Sequence, residues 1–586
     1  MRNKTENLDK IKATLRTLLI FSAVTIFLGI VFGGMNKQLD TKNLEITHQI
    51  FVGIGGILLF IALVYGIKNL RAYQAILKTM QTATILMIVQ ILLGQFLRQS
   101  QDENWFVGIH YLFSVIILGL VLSSIIYLLY TGSRNNNEIP LKFSSSFSKH
   151  AVLGVSLGFL ALFSGIFISI SGIRTSCLGW PLCGGSVIPQ NINSWIIYIH
   201  RIVVLLVGIY LVWFNRQAWR KQRSQSVILT VSNLFVVVYF AQGFVGAIKT
   251  IRDFPIYMLV LHESTAVVLI GLGFILLTAI GIVNRSEEEE ITEASIKFDY
   301  KQRFKDILAL NKPVVVLLLL STTIAGMIIG AGGFPKLEIF VFTTIGGLFA
   351  AGGSSAINQY IDRNLDGLMT RTSKRPIPSG RLMPAEGLAY GMTSLVISFY
   401  ILAGFVNILA ALLSLAGMLY YVVFYSLVLK KKSVQNIVIG GGAGAIPPLV
   451  GWAASTGTLT IESAFLFLII FLWTPPHFWA LALLRKNEYA AANVPMMPVI
   501  RGEEPTKKLI FQYSIILVFT TLLMWIFGLA GWIYLGGAFF LGIYLIYLAA
   551  KVFFDGRNRV YYKMYRHSNY YLLFLFIIMA IDSVYS

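Results

Sequence analysis

Apolar positions along the chain gather into runs of roughly 20 residues divided by short polar connections. Runs lie near 14–34, 46–66, 74–98, 105–130, 149–172, 195–214, 227–250 and 256–283, then near 309–330, 337–357, 386–405, 406–428, 436–454, 461–484, 508–528, 531–552 and 566–585. At 1.5 Å rise per residue each is long enough to cross a bilayer as a helix. The expected fold is therefore an all-α polytopic membrane protein of about 17 transmembrane helices. Composition agrees: 56% of the 586 residues are hydrophobic and 12% charged, and the mean hydropathy is +0.74, more apolar surface than one soluble core can hide. The first apolar run is long and lacks a small-residue cleavage site, so no cleavable signal is expected.

A net charge of +21 would fit a nucleic-acid binder if the cations shared one face. Instead they fill alternate loops: 67–78 (Lys68, Arg71, Lys78), 131–149, 215–224, 363–381, 430–432, 485–508 and 551–567, each after an even-numbered run. That is the positive-inside pattern. It predicts the lipid bilayer and no nucleic acid as partner, a multi-pass protein of the cell (cytoplasmic) membrane, a cytoplasmic N-terminus (Arg2, Lys4, Lys10, Lys12, Arg16) and a C-terminus outside.

Between the eighth and ninth runs stands NRSEEEEITEASIKFDYKQRFKD, acidic and then basic with no apolar period, which reads as a cytoplasmic linker. The expected division is a first domain over 1–285, a linker over 286–305 and a second domain over 306–586.

The first domain repeats itself. His48 and His110 are 62 residues apart, as are His200 and His262, and the second pair follows the first by 152 residues. His48 and His200 sit near the outer ends of even-numbered spans, and His110 and His262 begin the fourth and eighth. Two pseudo-repeated four-helix bundles follow. Intramembrane imidazoles need partners, and a facing pair across a bundle suits the two axial positions of a haem iron. Packing hydrogen bonds are the alternative role for any one of them, and His150 stands apart at a loop edge. Zinc is disfavoured, because no carboxylate or thiolate cluster lies nearby. Glu45 precedes His48 by nearly one turn on the same side, whereas Ile197 holds that place before His200. A carboxylate there can pass protons, so bundle one is expected to hold the substrate and bundle two a resident electron-carrying haem. The only cysteines, Cys177 and Cys183 in SCLGWPLCGG, have a spacing between turn residues that allows a disulfide bracing an outer loop.

In the second domain Asn358, Asp362 and Asp366 are spaced by four and form one stripe at the cytoplasmic end of a helix. Two close carboxylates are tolerated when a divalent cation lies between them, and hard oxygen ligands with substrate phosphates favour Mg²⁺. Arg371, Lys374, Arg375 and Arg381 follow at once and suit a diphosphate. Arg485, Lys486, Glu488 and Tyr489 form a second polar cluster, and Tyr425, Lys430, Lys431 and Asn436 lie between, ahead of a Gly-rich helix. His477 is open to two readings, a substrate contact or a helix-end residue.

The duplicated bundles, the E-x-x-H motif and the CLGWPLC loop resemble haem A synthase over roughly residues 14–283. The resemblance implies a haem O substrate at His48 and His110, haem b at His200 and His262, Glu45 as the essential carboxylate, and oxidation of a haem O methyl to a formyl group. Here Gln49 stands where an arginine often follows the first histidine, and the first outer loop has no cysteine pair. NQYIDRNLDGLMTRTSKRPIPSG, NIVIGGGAGAIPPLVGW and WTPPHF with YAAANVPMMPV resemble haem O synthase, a UbiA-type prenyltransferase, over about 300–586. That implies a nine-helix bundle, Mg²⁺, farnesyl diphosphate and haem B, with Asn358, Asp362 and Asp366 on the metal, Lys430, Lys431, Arg485 and Lys486 joining the diphosphate cations, and Glu488 catalytic. Glu488 stands where relatives often carry Asp. The two reactions are consecutive, so the expected function is bifunctional haem A biosynthesis, with assembly factors of a haem-copper oxidase as further partners. The alternatives are a cytochrome b-like electron carrier fused to a prenyltransferase of an aromatic quinone precursor and, least favoured, a transporter.

Overall fold

The computed structural model describes residues 2–98, 104–130, 140–185, 187–295 and 299–585. The chain divides into two compact units, Met1–Lys297 and Phe298–Ser586, and among the described residues 17 helices are long and apolar enough to cross a membrane. The protein is an all-helical multi-pass membrane protein. Part of the basic loop expected at 131–149, residues 131–139, falls outside the described residues.

The first unit holds α1 (Arg2–Leu39), α2 (Lys42–Asn69), α3 (Gln74–Leu97), α4 (Asn104–Tyr130), α5 (Ser146–Ile170), α6 (Ile192–Lys221), α7 (Ser226–Ile251) and α8 (Ile256–Val283). Helix α1 packs along α2 and α3 along α4; α5 along α6 and α7 along α8 repeat that arrangement, and α4 and α8 meet between the two sets. Side chains end two of these helices cleanly: Ser145 Oγ accepts from Ser148 N (3.2 Å) at the start of α5, and Asn191 Oδ1 accepts from Ser194 N (2.8 Å) at the start of α6.

The segment read as a cytoplasmic linker carries helices, α9 (Glu287–Ser295) and the start of α10 (Tyr300–Leu310). Glu290 accepts from Ser145 Oγ (2.7 Å) and Gln222 Nε2 (2.8 Å). Glu293 accepts from Ser224 N and Oγ (both 2.9 Å) and from Arg285 (2.7 Å). Both glutamates are buried, so α9 docks on the first unit through carboxylates, a face that apolar periodicity does not register. Helix α10 belongs to the second unit. There Leu310 packs with Ala356, Ile377 and Leu382, Arg303 pairs with Glu386, and Asp306 pairs with Arg381 at 2.8 Å.

The rest of the second unit comprises α11 (Pro313–Ala331), α12 (Leu337–Ile361), α13 (Arg363–Leu368), α14 (Pro384–Ile401), α15 (Ile408–Leu419), α16 (Asn436–Thr456), α17 (Ile461–Leu484), α18 (Lys486–Ala491), α19 (Met497–Ile500), α20 (Glu503–Ile526), α21 (Trp532–Phe554) and α22 (Asn558–Tyr585). Helix α14 continues into a π-helical stretch, Leu402–Val406, and α15 into another, Tyr420–Leu429. Helices α11 and α16 touch backbone to backbone where Gly326 faces Pro448 and Gly451 faces Thr323, an approach that a Cβ would block.

Candidate functional site

The acid register of the second unit straddles a helix break. Helix α12 ends at Ile361, Asp362 is the junction and Asp366 lies in α13, so the single helical stripe expected from the sequence is built from two segments. The i to i+4 connection persists: Asp362 N donates to Asn358 O (2.9 Å) and Asp366 N to Asp362 O (2.7 Å). All three side chains are buried.

Cations from distant parts of the chain close on them. Asn358 Nδ2 donates to Asp362 Oδ2 (2.8 Å) and to Ser426 Oγ (3.1 Å). Lys430 pairs with Asp362 Oδ2, Arg375 Nη1 donates to Asp366 Oδ2 (2.6 Å), and Lys312 Nζ donates to Asn358 Oδ1 (3.2 Å). Burial, with Arg375 and Lys430 alongside, holds the Lys312 ammonium down to about 7 against the partial support of Asp366 and Asp362. Asp362 Oδ1 is buried and finds no hydrogen-bond partner among the described residues. One carboxylate oxygen is thus dehydrated with nothing set against it, which costs about 1–3 kcal/mol or more for a charged group.

The π-helix after α15 makes part of this arrangement. Ser426 Oγ donates to Tyr421 O (2.9 Å) and Lys430 N to Tyr425 O (2.9 Å), both five residues back. The widened turn aims Ser426 and Lys430 at Asn358 and Asp362, as π-bulges at functional sites often do. Tyr421 and Tyr425 stack, with ring centroids 5.7 Å apart, and the Tyr425 ring lies over Gly440.

Other expected residues stand differently. Arg381 is committed to Asp306 and to Lys374 O (3.1 Å), which anchors the loop. Arg371, Lys374 and Lys431 are exposed. Arg485 bonds Glu488 (2.8 Å) and Lys486 bonds Glu503 (2.9 Å). Tyr489 links this second cluster to the first, because Arg371, Tyr425 and Lys430 are among its electrostatic neighbours. Asn436 Nδ2 donates to Pro495 O at 3.3 Å. His477 is packed between Trp473 and Tyr565, centroids 4.3 and 4.7 Å away, and its Nδ1 lies 2.8 Å from Ser568 Oγ. This environment is that of a packing residue.

In the first unit the four histidines lie near the starts of α2, α4, α6 and α8, hence at one end of an up-and-down bundle. The His48 and His110 ring centroids are 6.5 Å apart. His48 Nδ1 lies 2.7 Å from Gly29 O. A carbonyl only accepts, so Nδ1 carries the proton and Nε2 keeps its lone pair. His200 Nδ1 lies 2.6 Å from Ser164 Oγ, which itself donates to Ala161 O (2.7 Å), and the same tautomer follows. Each imidazole also rests on a glycine of the preceding helix. A Cβ on Gly33 would lie 2.9 Å from His48, one on Gly94 3.2 Å from His110, one on Gly165 3.3 Å from His200, and one on Gly246 3.1 Å from His262.

The two bundles differ at their ends. Glu45 pairs with Arg98 (2.8 Å) and accepts from Gln49 (3.2 Å). Helix α1 joins α2 through Asp40 and Thr41 alone, whereas residues 171–191 connect α5 to α6. That longer connection contains the disulfide between Cys177 and Cys183, and Arg201 grips it by donating to Pro181 O (2.9 Å) and Cys177 O (3.1 Å).

Two families match the chain. The cytochrome oxidase assembly protein family (COX15-CtaA) matches residues 41–274 and the UbiA prenyltransferase family residues 319–575. The protohaem IX farnesyltransferase of Roseiflexus sp. (strain RS-1) is 38% identical over 443 residues, which cover 73% of this chain and 82% of that protein. That of Roseiflexus castenholzii is 37% identical over 478 residues, 78% of this chain and 88% of that protein.

The chain belongs to the protohaem IX farnesyltransferase family.

Both alignments are longer than the second unit, so these farnesyltransferase relatives share part of the first unit too, and the chain is a fusion of the two families. The protohaem IX farnesyltransferase of Trichodesmium erythraeum matches over 285 residues at 47% identity, 48% of this chain and 87% of that protein. Among solved structures, a UbiA homologue from Archaeoglobus fulgidus bound to GPP and Mg²⁺ aligns at 19% identity with a TM-score of 0.37, over 47% of this chain and 99% of that one.

For this farnesyltransferase-family chain, the sequence reading passed over Lys312, Tyr421, Ser426 and the four histidine-bearing glycines. A signal existed for two of those glycines: Gly94 and Gly246 each precede a histidine by 16 residues. Lys312 and Ser426 carry no local signal, since both meet Asn358 only after folding.

Proposed function

We propose that the chain performs two consecutive reactions on haem. The second unit transfers the farnesyl group of farnesyl diphosphate to a vinyl group of haem B, with water completing the hydroxyethylfarnesyl chain of haem O. The first unit oxidises a ring methyl of haem O to the formyl group of haem A in two oxygen-dependent steps, with dioxygen as the oxidant and itself reduced to water. The observation that carries this reading is the joining, in one chain of this family, of a buried carboxylate site ringed by cations with a duplicated set of paired intramembrane histidines.

Asn358, Asp362 and Asp366 fit Mg²⁺, because they are buried hard-oxygen donors on successive turns and Asp362 Oδ1 has no partner among the described residues. When bound, the ion supplies charge neutralisation to the departing diphosphate. The chain's own cations do the rest. Lys430, Arg375 and Lys312 already stand on the carboxylates and the amide, so a diphosphate arriving there meets ammonium and guanidinium donors that shift from carboxylate to phosphate oxygens. The leaving group is thereby stabilised where its charge develops. The stacked Tyr421 and Tyr425 rings, on the same π-turn, offer an apolar wall beside the carboxylates for the start of the prenyl chain.

The histidines fit haem. A metal bonded to two imidazoles at roughly 2 Å each holds the ring centroids about 6 Å apart, and those of His48 and His110 are 6.5 Å apart. His48 and His200 also have Nδ1 engaged and Nε2 free, the tautomer a ligand requires. We assign His48 and His110 to the substrate haem, with Glu45 moving protons, and His200 and His262 to a resident haem b, which supplies electrons. The alternation of basic loops supports a cell-membrane location with the diphosphate site toward the cytoplasm.

The test is pigment extraction with mass analysis from a host that makes only haem B and expresses the full chain. Haem A is the expected product, and Glu45→Ala is expected to stop at haem O. Haem B alone would overturn the reading. Gly246→Leu is expected to drive the His262 ring from its seat and lower haem content in the second bundle, with farnesylation unaffected. Haem quantitation beside a prenylation assay checks it.

A further inference from the structure

We propose that α10 is a lipid-docking helix, which seats Phe304 and Leu308 among the acyl chains of the adjoining leaflet and holds anionic lipid headgroups with Lys301 and Lys305. This surface stands on contacts of the second unit alone and on neither of the reactions assigned above.

Helix α10 reads YKQRFKDILAL, and helical spacing sorts its faces. Arg303, Asp306, Ile307 and Leu310, at i, i+3, i+4 and i+7, form the docked side. Arg303 pairs with Glu386, Asp306 accepts from Arg381 Nε (2.8 Å), and Ile307 and Leu310 pack with Ala356, Ile377 and Leu382. Lys301, Phe304, Lys305 and Leu308 have the same spacing and form the opposite side, where all four are exposed. Phe304 is 64% exposed and Leu308 48%. Going round the helix from the docked side, Phe304 and Leu308 come first, then Lys301 and Lys305, then Ala309 and Gln302. An apolar strip followed by a cationic one is the cross-section of a helix lying in a membrane interface.

The position of α10 in the fold supplies the covering surface. Helix α11, long and apolar enough to span a membrane, begins at Pro313, with only Asn311 and Lys312 between it and α10. Lys312 takes φ 49°, a left-handed conformation that ends α10 instead of running it straight into the span. The first turns of α11 carry exposed Val314, Val315 and Leu317, a surface suited to acyl chains. A helix joined to a span by two residues has the leaflet as its neighbour, and lysines beside an apolar pair complement phosphate headgroups. The same helix leads into the carboxylate site: Leu310 O accepts from Ser355 Oγ and Gln359 Nε2 (both 2.7 Å), and Lys312 Nζ donates to Asn358 Oδ1 (3.2 Å). A lipid-seated α10 therefore holds one edge of that site at headgroup level, where an amphiphile with an apolar tail presents its charged head.

The test uses the full chain in nanodiscs. Both cysteines are tied in the disulfide, so Phe304→Cys or Leu308→Cys provides a single thiol for a bimane probe. Phosphatidylcholine or phosphatidylglycerol with a nitroxide near the top of its acyl chain is then added in equal, dilute amounts. Both lipids are expected to quench the probe and aqueous acrylamide to quench it little, with phosphatidylglycerol enriched there by up to roughly fivefold per lysine. Lys301→Glu combined with Lys305→Glu is expected to erase that preference and keep the phosphatidylcholine quenching. A probe at Gln302→Cys is expected to answer to acrylamide first. The proposal is overturned if acrylamide alone quenches at 304 and 308, which puts the face in water, or if neither quencher reaches them, which puts a protein over it. Equal quenching by the two lipids in the parent chain overturns it as well. Should the glutamate pair fail to accumulate, Lys301→Gln with Lys305→Gln decides by the same readout.

Discussion

Asp362→Ala is expected to abolish farnesyl transfer, by on the order of 10³-fold or more, which corresponds to about 4 kcal/mol of transition-state stabilisation. Three consequences converge on the one side chain. Its Oδ1, buried and without a partner among the described residues, is the oxygen proposed for Mg²⁺ and is lost. Its Oδ2 no longer holds Asn358 and Lys430, so the cation meant for the diphosphate loses its station. Removing one member of a buried ion pair also strands the other, at a cost of about 3–5 kcal/mol. Asp362→Asn separates chemistry from folding, since an amide oxygen still receives Lys430 while the charge is gone. The Asn variant is expected to unfold at a temperature between those of Asp362→Ala and the parent, and still lack transfer. Haem spectra of the first unit are expected to be unaltered in both. Substantial transfer by Asp362→Asn with Mg²⁺ present would remove this aspartate from the metal site.

His262→Ala is expected to remove the haem of the second bundle, leave the His48 and His110 site able to take up haem, and leave farnesylation at the parent level. The selectivity follows from geometry. His262 rests on Gly246 and meets Gln242, both on α7 of the same bundle, whereas the first pair relies on Gly33 and Gly94 of α1 and α3. Alanine leaves space where the ring stood and removes the imidazole that would hold the haem there. Spectra of the purified chain, with haem counted against protein, read the result. A full complement of six-coordinate haem in His262→Ala would take this histidine out of the ligand set.

Much of this protein was legible in the order of its residues. Seventeen spans emerge because a bilayer of fixed thickness demands apolar runs of fixed length, so local composition suffices to count them. The division near residue 297 is visible because a polar stretch interrupts that rhythm. The duplicated histidines and the acids at 358, 362 and 366 stand out because helical geometry turns spacing into position on a face. The expectation of one unbroken helix through the acids was not met, since the chain bends at Asp362 and keeps their order through backbone hydrogen bonds. Within the expected linker α9 is held by Glu290 and Glu293, carboxylate contacts that apolar periodicity does not register.

The sequence alone determined what each segment could be: a membrane helix, an imidazole pair, a carboxylate register, a cationic loop. Only the tertiary structure decided which cation serves which acid. Lys430 reaches Asp362 across 68 residues and Lys312 reaches Asn358 across 46, while Arg381 is spent on Asp306. The π-turn that aims Ser426 and the glycines that seat each imidazole belong to the same class. Periodicity reports how one segment divides its own faces, whereas these contacts join segments far apart in the chain, and their partners are fixed only when the helices pack.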